Sequence, residues 1–198
     1  VNVFLRDESG AILIADSSGR LVEDTQPMTL LFVSLLAEDG TRREQNGYNV
    51  AGRAGFEFYT PERLDRVVRE AVSRTTILFE AGTPPAGEMP VVLSAGSSGI
   101  LLHEAIGHGM EADFNRKGVS IYADKIGKRV AQPFVNIVDD AANKGARGAI
   151  NVDDEGNEAG TTTLVEGGVL ATYLHDAISA RHYGVRPTGN GRRESYRY

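Results

Sequence analysis

From Val3 to about Gly55, apolar runs such as Ile12-Leu13-Ile14 and Leu30-Leu31-Phe32-Val33 alternate with the turn pairs Ser18-Gly19, Asp39-Gly40 and Asn46-Gly47. Glycine after Asn or Asp supplies the positive backbone angle of a tight hairpin, so this stretch predicts an antiparallel meander. The period then changes. Thr60-Pro61-Glu62 carries a capping hydroxyl and a proline suited to the first helical position, and Leu64, Val67, Val68, Ala71 and Val72 follow at helical spacing. Gly82, Pro84, Pro85, Gly87 and Pro90 end that helix in a loop, after which Val91-Val92-Leu93 reads as a short buried strand.

A second helix is predicted next, capped by Ser97 or Ser98, carrying Ile100, Leu101, Ala105 and Ile106 and terminated at Gly109. Further on, Pro133 to Val138 and Gly148 to Val152 read as strands. Thr161 to Val165 and Val169 to Tyr173 form a hairpin around Glu166-Gly167-Gly168, and Asp176 to Tyr183 a short helix. The fold expected is α+β: a mainly antiparallel sheet with packed helices, the second of them lying over the sheet.

Composition narrows the chemistry. The 198 residues carry a net charge of -6 without a Lys/Arg cluster, which disfavours a nucleic-acid surface. There is no Cys, hence no disulfide framework and no thiolate metal site within the chain. No apolar run reaches the roughly 18 residues of a membrane span, and the opening VNVFLRDESG lacks signal-peptide character, so a soluble cytoplasmic protein without membrane contact is expected. The start at Val1 and the stop just after a Gly/Arg-rich stretch suggest a piece of a longer protein.

The second helix holds His103, Glu104 and His108 in the run LLHEAIGHG. Zinc peptidases commonly place two His four residues apart on one helical face, with the intervening Glu as general base. Here the spacing is five, which on an ideal helix separates the side chains by about 140°. One wide turn would restore a shared face, and Gly107 is where it meets least hindrance. The bland alternative is three polar residues on an ordinary amphipathic helix. The scarcity of His, the carboxylate beside His103 in an apolar stretch and the three glycines Gly99, Gly107 and Gly109 favour a metal site.

His103 to Gly109, followed by Glu111-Ala112-Asp113-Phe114-Asn115-Arg116, resembles the signature of the TldD/PmbA family of metallopeptidases. Ile150 to Gly156 (INVDDEG) and Thr188 to Ser195 (TGNGRRES) resemble further blocks of that family in the same order. The resemblance covers Ser94 to Tyr198 and implies a zinc-dependent endopeptidase acting on small or unfolded peptides. His103 and His108 would be the zinc ligands and Glu104 the catalytic base. It also implies a related or identical partner subunit in a cytoplasmic dimer. The family completes its zinc site with a Cys near the C-terminal end of the full-length protein, which this chain lacks, so that ligand is expected beyond Tyr198. On this reading, residues 1–198 form one α+β segment of a longer metallopeptidase: a β-meander at 1–55, a helix at 60–82 and a catalytic part at 91–198. A non-catalytic interaction module, or an inactive fragment of such a peptidase, is the rival.

The remaining candidates read more blandly. His175 and His182 lie seven apart and are taken as surface or packing residues. Asp153-Asp154-Glu155-Gly156 lacks the alternating oxygen ligands of an EF-hand loop and reads as a solvated turn. Thr188 to Arg193 reads as a glycine-rich active-site loop whose Arg pairs with an acid, and Asp139-Asp140 as a strand end.

Overall fold

The computed structural model of the chain describes residues 1–96, 98–194 and 197; Ser97, Ser195, Tyr196 and Tyr198 lie outside the described residues, and with them the Ser97 cap and the last residue of the TGNGRRES block. The architecture is α+β and divides into two compact units. The first comprises Val1–Ile12, Thr25–Met89 and Lys144–Gly148, the second Leu13–Asp24, Pro90–Asn143 and Ala149–Tyr198.

Strands β1 (Asn2–Ala15), β2 (Leu21–Asp39) and β3 (Arg42–Gly52) form a sheet in that order, of which the first unit holds residues 2–12, 25–39 and all of β3. β2 and β3 run antiparallel in unbroken register from Asp39↔Arg42 to Thr29↔Gly52. The turns at Ser18-Gly19 and Asp39-Gly40 are where the sequence places them, with both glycines at positive φ. Asn46-Gly47 is no turn: Gly47 pairs with Ser34 inside β3. Glycine is needed there because a Cβ would lie 2.6 Å from the Val33 carbonyl oxygen and 3.0 Å from the Phe32 ring.

Helix α1 (Pro61–Thr76) starts as predicted, the Thr60 hydroxyl accepting from the Arg63 amide at 3.3 Å. It lays Val67 and Ala71 on Leu31 and Val33, with Tyr48, Val50 and Tyr59 at the margin. The apolar face read from the sequence is split: Leu64, Val68 and Val72 are exposed, and Thr75 takes the third buried place. Its hydroxyl is satisfied within the helix by donating to the Ala71 carbonyl at 2.7 Å, so a polar residue is tolerated against the sheet.

The second unit is built on a smaller antiparallel sheet of β4 (Ile137–Asp140), β5 (Thr161–Glu166) and β6 (Val169–Leu170). Gly167 and Gly168, both at positive φ, close the β5–β6 hairpin. Gly168 is further constrained by the Ala131 carbonyl oxygen, which a Cβ would approach to 2.5 Å. Of the short helices α2 (Ser98–Leu102), α3 (Ala112–Arg116) and α4 (Ala177–Tyr183), α3 puts Ala112 into the core of the sheet and α4 packs Tyr183 against it. Met110 and Ala112 join Leu164, Val165, Leu170 and Tyr173 in one core, with Ile106 packed at its edge, so the segment after α2 lies over the sheet.

Four strand expectations are corrected. Val91-Val92-Leu93 is neither strand nor buried, with Val92 95% exposed. An apolar triplet between glycines and prolines lacks the neighbouring strand that would cover it. Gly148 to Val152 contributes only an isolated bridge, Val152 to Glu158, because the chain bends there to bury Asp153. The pairing of Pro133 to Val138 begins only at Ile137, and that of Val169 to Tyr173 ends at Leu170.

The tight seat of α1 makes a clear expectation. Ala71→Leu should lower the unfolding free energy by about 1–3 kcal/mol through overpacking, whereas Arg66→Gln on the solvent side should change it by less than about 0.5 kcal/mol. Urea titration of both variants checks this, and equal effects would contradict the packing described.

Candidate metal centre

α2 continues without a break into a π-helical turn, His103–Gly107, in which the His108 amide donates to the His103 carbonyl. That is one residue further back than an α-helix reaches, and it supplies the wide turn the five-residue spacing requires. The His103 and His108 rings consequently meet, with centroids 4.5 Å apart and planes inclined at 62°. Gly107 occupies the inner side: a Cβ there would lie 3.6 Å from His103 Nδ1, an ordinary contact. The fit of Gly109 is tighter, since a Cβ would lie 3.0 Å from the Tyr122 ring.

Glu104 lies between the two imidazoles, Oε1 4.0 Å from His103 Nε2 and Oε2 3.9 Å from His108 Nε2. One donor atom from each of the three residues lies within 4.8 Å of the others, the arrangement among the described residues that can take a metal ion. Two imidazole nitrogens with a nearby carboxylate suit zinc, and all three side chains are exposed and accessible to an ion from solvent. The residues present fit the metal that the resemblance implies.

Beyond the wide turn, a single 3-10 turn, His108–Met110, drops Met110 into the core, and Glu111 takes an extended backbone. Its carboxylate Oε1 lies 2.7 Å from His108 Nδ1. This hydrogen bond, and the negative charge behind it, raise the His108 pKa above its ordinary value. The sequence reading placed Glu111 in the signature run without giving it a role; the signal for this contact is the His-x-x-Glu spacing, which puts both residues on one helical face. A cavity of about 250 Å³ opens beside the cluster, lined by His103, Ile106, Glu111, Asp139, Leu164 and Leu174 among others.

The two downstream blocks grip each other. Asp153 is fully buried, not a solvated turn as expected. It accepts from the amides of Glu155, Asn157 and Gly191 at 3.0, 2.8 and 3.0 Å, and from Asn157 Nδ2 at 3.1 Å. Four donors suffice to keep a carboxylate inside. Asp154 pairs with Arg192 at 3.1 Å, the Arg–acid contact expected of the glycine-rich loop. Asp139, near the end of β4, accepts from Asn190 Nδ2 at 3.0 Å. Gly189 has positive φ, and a Cβ there would lie 2.3 Å from the Glu158 carbonyl oxygen.

His175 and His182 take no part in the cluster. His175 is 1% exposed and packs between Tyr173 and Tyr183, while His182 is exposed against the Tyr183 ring.

A helical His-Glu-His cluster on a mixed α+β fold is the kind of arrangement found in metallopeptidase-type proteins, and the relatives of the chain are of that class. The family model of the PmbA/TldA metallopeptidase central domain matches residues 1–79, and that of the C-terminal domain residues 86–198. The metalloprotease TldD homologue of Buchnera aphidicola (subsp. Acyrthosiphon pisum) is 41% identical over 99% of this chain and 42% of its own length. The Haemophilus influenzae homologue of the same name is 42% identical over 93% of this chain and 39% of its own. Among solved structures, TldE from Thermococcus kodakarensis superposes with a TM-score of 0.74 at 19% identity, over 91% of this chain and 40% of that one. A Thermotoga maritima protein, described as a candidate modulator of a DNA gyrase, gives 0.79 at 28% identity, over 98% and 44%. The chain belongs to the PmbA/TldD family of metallopeptidases. It spans less than half the length of these relatives.

The buried imidazole generates a pH expectation. Burial pushes the His175 pKa below its ordinary 6.5, against a smaller opposing pull from Asp176. As pH falls through about 6.5 the unfolded chain takes up a proton that the folded chain refuses, so stability declines and levels off only below the folded-state pKa. His175→Phe should flatten that decline in denaturant titrations between pH 7.5 and 5; an unchanged slope would show that another group carries it.

Proposed function

We propose that the chain is the metal-binding segment of a longer zinc-dependent endopeptidase. Its substrates are small or unfolded peptides, and it works in the cytoplasm with an identical or related partner subunit. The observation that carries this reading is the wide turn that gathers His103, Glu104 and His108 within 4.8 Å despite their spacing. Membership of a metallopeptidase family supports it, as does the greater length of the relatives, which leaves room for more of the enzyme. Among the described residues no helix is long and apolar enough to cross a membrane.

In this mechanism His103 and His108 would hold the zinc, and the third protein ligand would be a Cys supplied from outside these 198 residues, which contain none. A zinc bound there would supply Lewis acidity for polarising the peptide carbonyl and easing deprotonation of water. Glu104 acts as general base. It takes a proton as the water oxygen bonds to the carbonyl carbon, then hands that proton to the amine nitrogen as the C–N bond breaks. Its placement close to both imidazoles, without a short hydrogen bond to either, leaves its carboxylate available for the transfer. The neighbouring cavity, with Ile106, Leu164 and Leu174 in its wall, offers apolar surface to a substrate residue.

Two substitutions in the full-length protein test the assignment. After dialysis the wild type should retain about one zinc per chain by elemental analysis. His103→Ala should lose it, whereas Glu104→Gln should keep it and lose about 10²- to 10⁴-fold in peptide cleavage. If the wild type holds no metal, or cleavage survives both substitutions, the peptidase reading gives way to a non-catalytic interaction module.

A further inference from the structure

We infer that Glu111 is a positioning residue for the metal centre, holding the His108 ring by Nδ1 so that Nε2 is presented to the ion. The inference rests on the metallopeptidase reading above.

An imidazole has two nitrogens, and as a neutral ligand it offers a lone pair on only one of them. With Glu111 Oε1 2.7 Å from His108 Nδ1, the carboxylate oxygen is placed to accept Nδ1–H, which leaves the lone pair on Nε2. Nε2 is the nitrogen that points toward Glu104 and the rest of the cluster, 3.9 Å from Glu104 Oε2. The two carboxylates therefore occupy opposite ends of the ring. Glu104 lies on the side where chemistry is proposed, and Glu111 on the side that only orients. A carboxylate on the second nitrogen fixes both ring angle and tautomer, which suits an imidazole that binds metal.

What makes Glu111 an effective post is its backbone. Its amide donates to the His108 carbonyl at 3.3 Å, and its carbonyl accepts from Asn115 Nδ2 at 2.8 Å. The strand-like bridge to Leu174 ties both sides of it: the Ala112 amide donates to the Leu174 carbonyl at 2.9 Å, and the Leu174 amide to the Met110 carbonyl at 3.0 Å. Asn115 Nδ2 and Ser120 Oγ also donate to the Gly109 carbonyl, at 2.9 and 2.5 Å. The loop is thus stitched to the core immediately beyond an exposed histidine, and little freedom remains to be lost when the ring is oriented. His103 is held differently. Among the described residues its ion pair is the long one with Glu104, and its Nδ1 edge lies toward Gly107.

The test uses Glu111→Gln in the full-length protein, with Asp113→Asn in the neighbouring exposed ion pair to Lys117 as control. Zinc affinity is measured by competition with a chelator, and the tautomer of His108 in the metal-free protein by ¹⁵N NMR of the ring. Wild type and Asp113→Asn should bind zinc alike and show Nδ1–H at His108. Glu111→Gln should bind zinc about 10- to 100-fold more weakly and show a growing Nε2–H population, with the thermal unfolding of the metal-free protein unchanged. Equal zinc affinity in wild type and Glu111→Gln, or Nε2–H at His108 in the wild type, overturns the inference while leaving the peptidase reading intact. A loss of affinity that merely follows unfolding of the metal-free variant assigns Glu111 a structural role and overturns it too. Absence of zinc binding in the wild type removes the peptidase reading and this inference together.

Discussion

The hydrogen bond from the His108 amide to the His103 carbonyl is the constraint on which the arrangement around the cluster depends. It inserts one residue into a helical turn, at a cost in backbone geometry that isolated π turns normally do not repay. Met110 and Ala112, a few residues on, offset it through their anchoring in the core over β5 and β6, while at Gly107 a Cβ would meet only an ordinary contact. The backbone is thus held at the core end, and the widened turn takes up the mismatch between that anchor and α2.

A second constraint acts from below. The cavity beside His103 includes Asp139, which is linked through Asn190 to the glycine-rich loop, and that loop is locked by the buried Asp153. Because Asp153 spends its acceptor capacity on backbone amides and one side-chain amide, it works as a structural rivet, and no oxygen is offered to a cation. Glu155 belongs to the same region: burial raises its pKa, while its Oε2 accepts from the Ala177 amide at 2.8 Å at the start of α4. Polar residues that resemble a calcium loop in composition are here the fasteners of an irregular segment.

Much of this was legible in the residues themselves. The Thr60-Pro61 start of α1, the Asp39-Gly40 hairpin and the Gly167-Gly168 turn carry local chemistry that dictates local structure, and each lies where its residues imply. The need for a wide turn followed from helical arithmetic on His103 and His108 alone. What escaped was set by tertiary surroundings. Asn46-Gly47 has the composition of a turn, yet its glycine answers to the Val33 carbonyl across the sheet. Asp153 looks solvated until Gly191, 38 residues on, closes over it. The contact of Glu111 with His108 is signalled only by their three-residue spacing, and the 3-10 turn that realises it ends with Met110 in the core.

The inserted residue also has a consequence for how this segment can vary in length. Removing one residue between the two histidines would let an ordinary α turn form, with His and His four apart and still on one face. The ring pair would survive such a deletion, and because the wide turn absorbs its extra residue locally, the backbone beyond would keep its place, with Met110 in the core and Glu111 on its bridge to Leu174. Removing a second residue would find no such slack: everything after the turn would rotate by about 100° and slide by about 1.5 Å, and both attachments would be lost. The wide turn is therefore one residue of tolerance in the length of this segment, and no more.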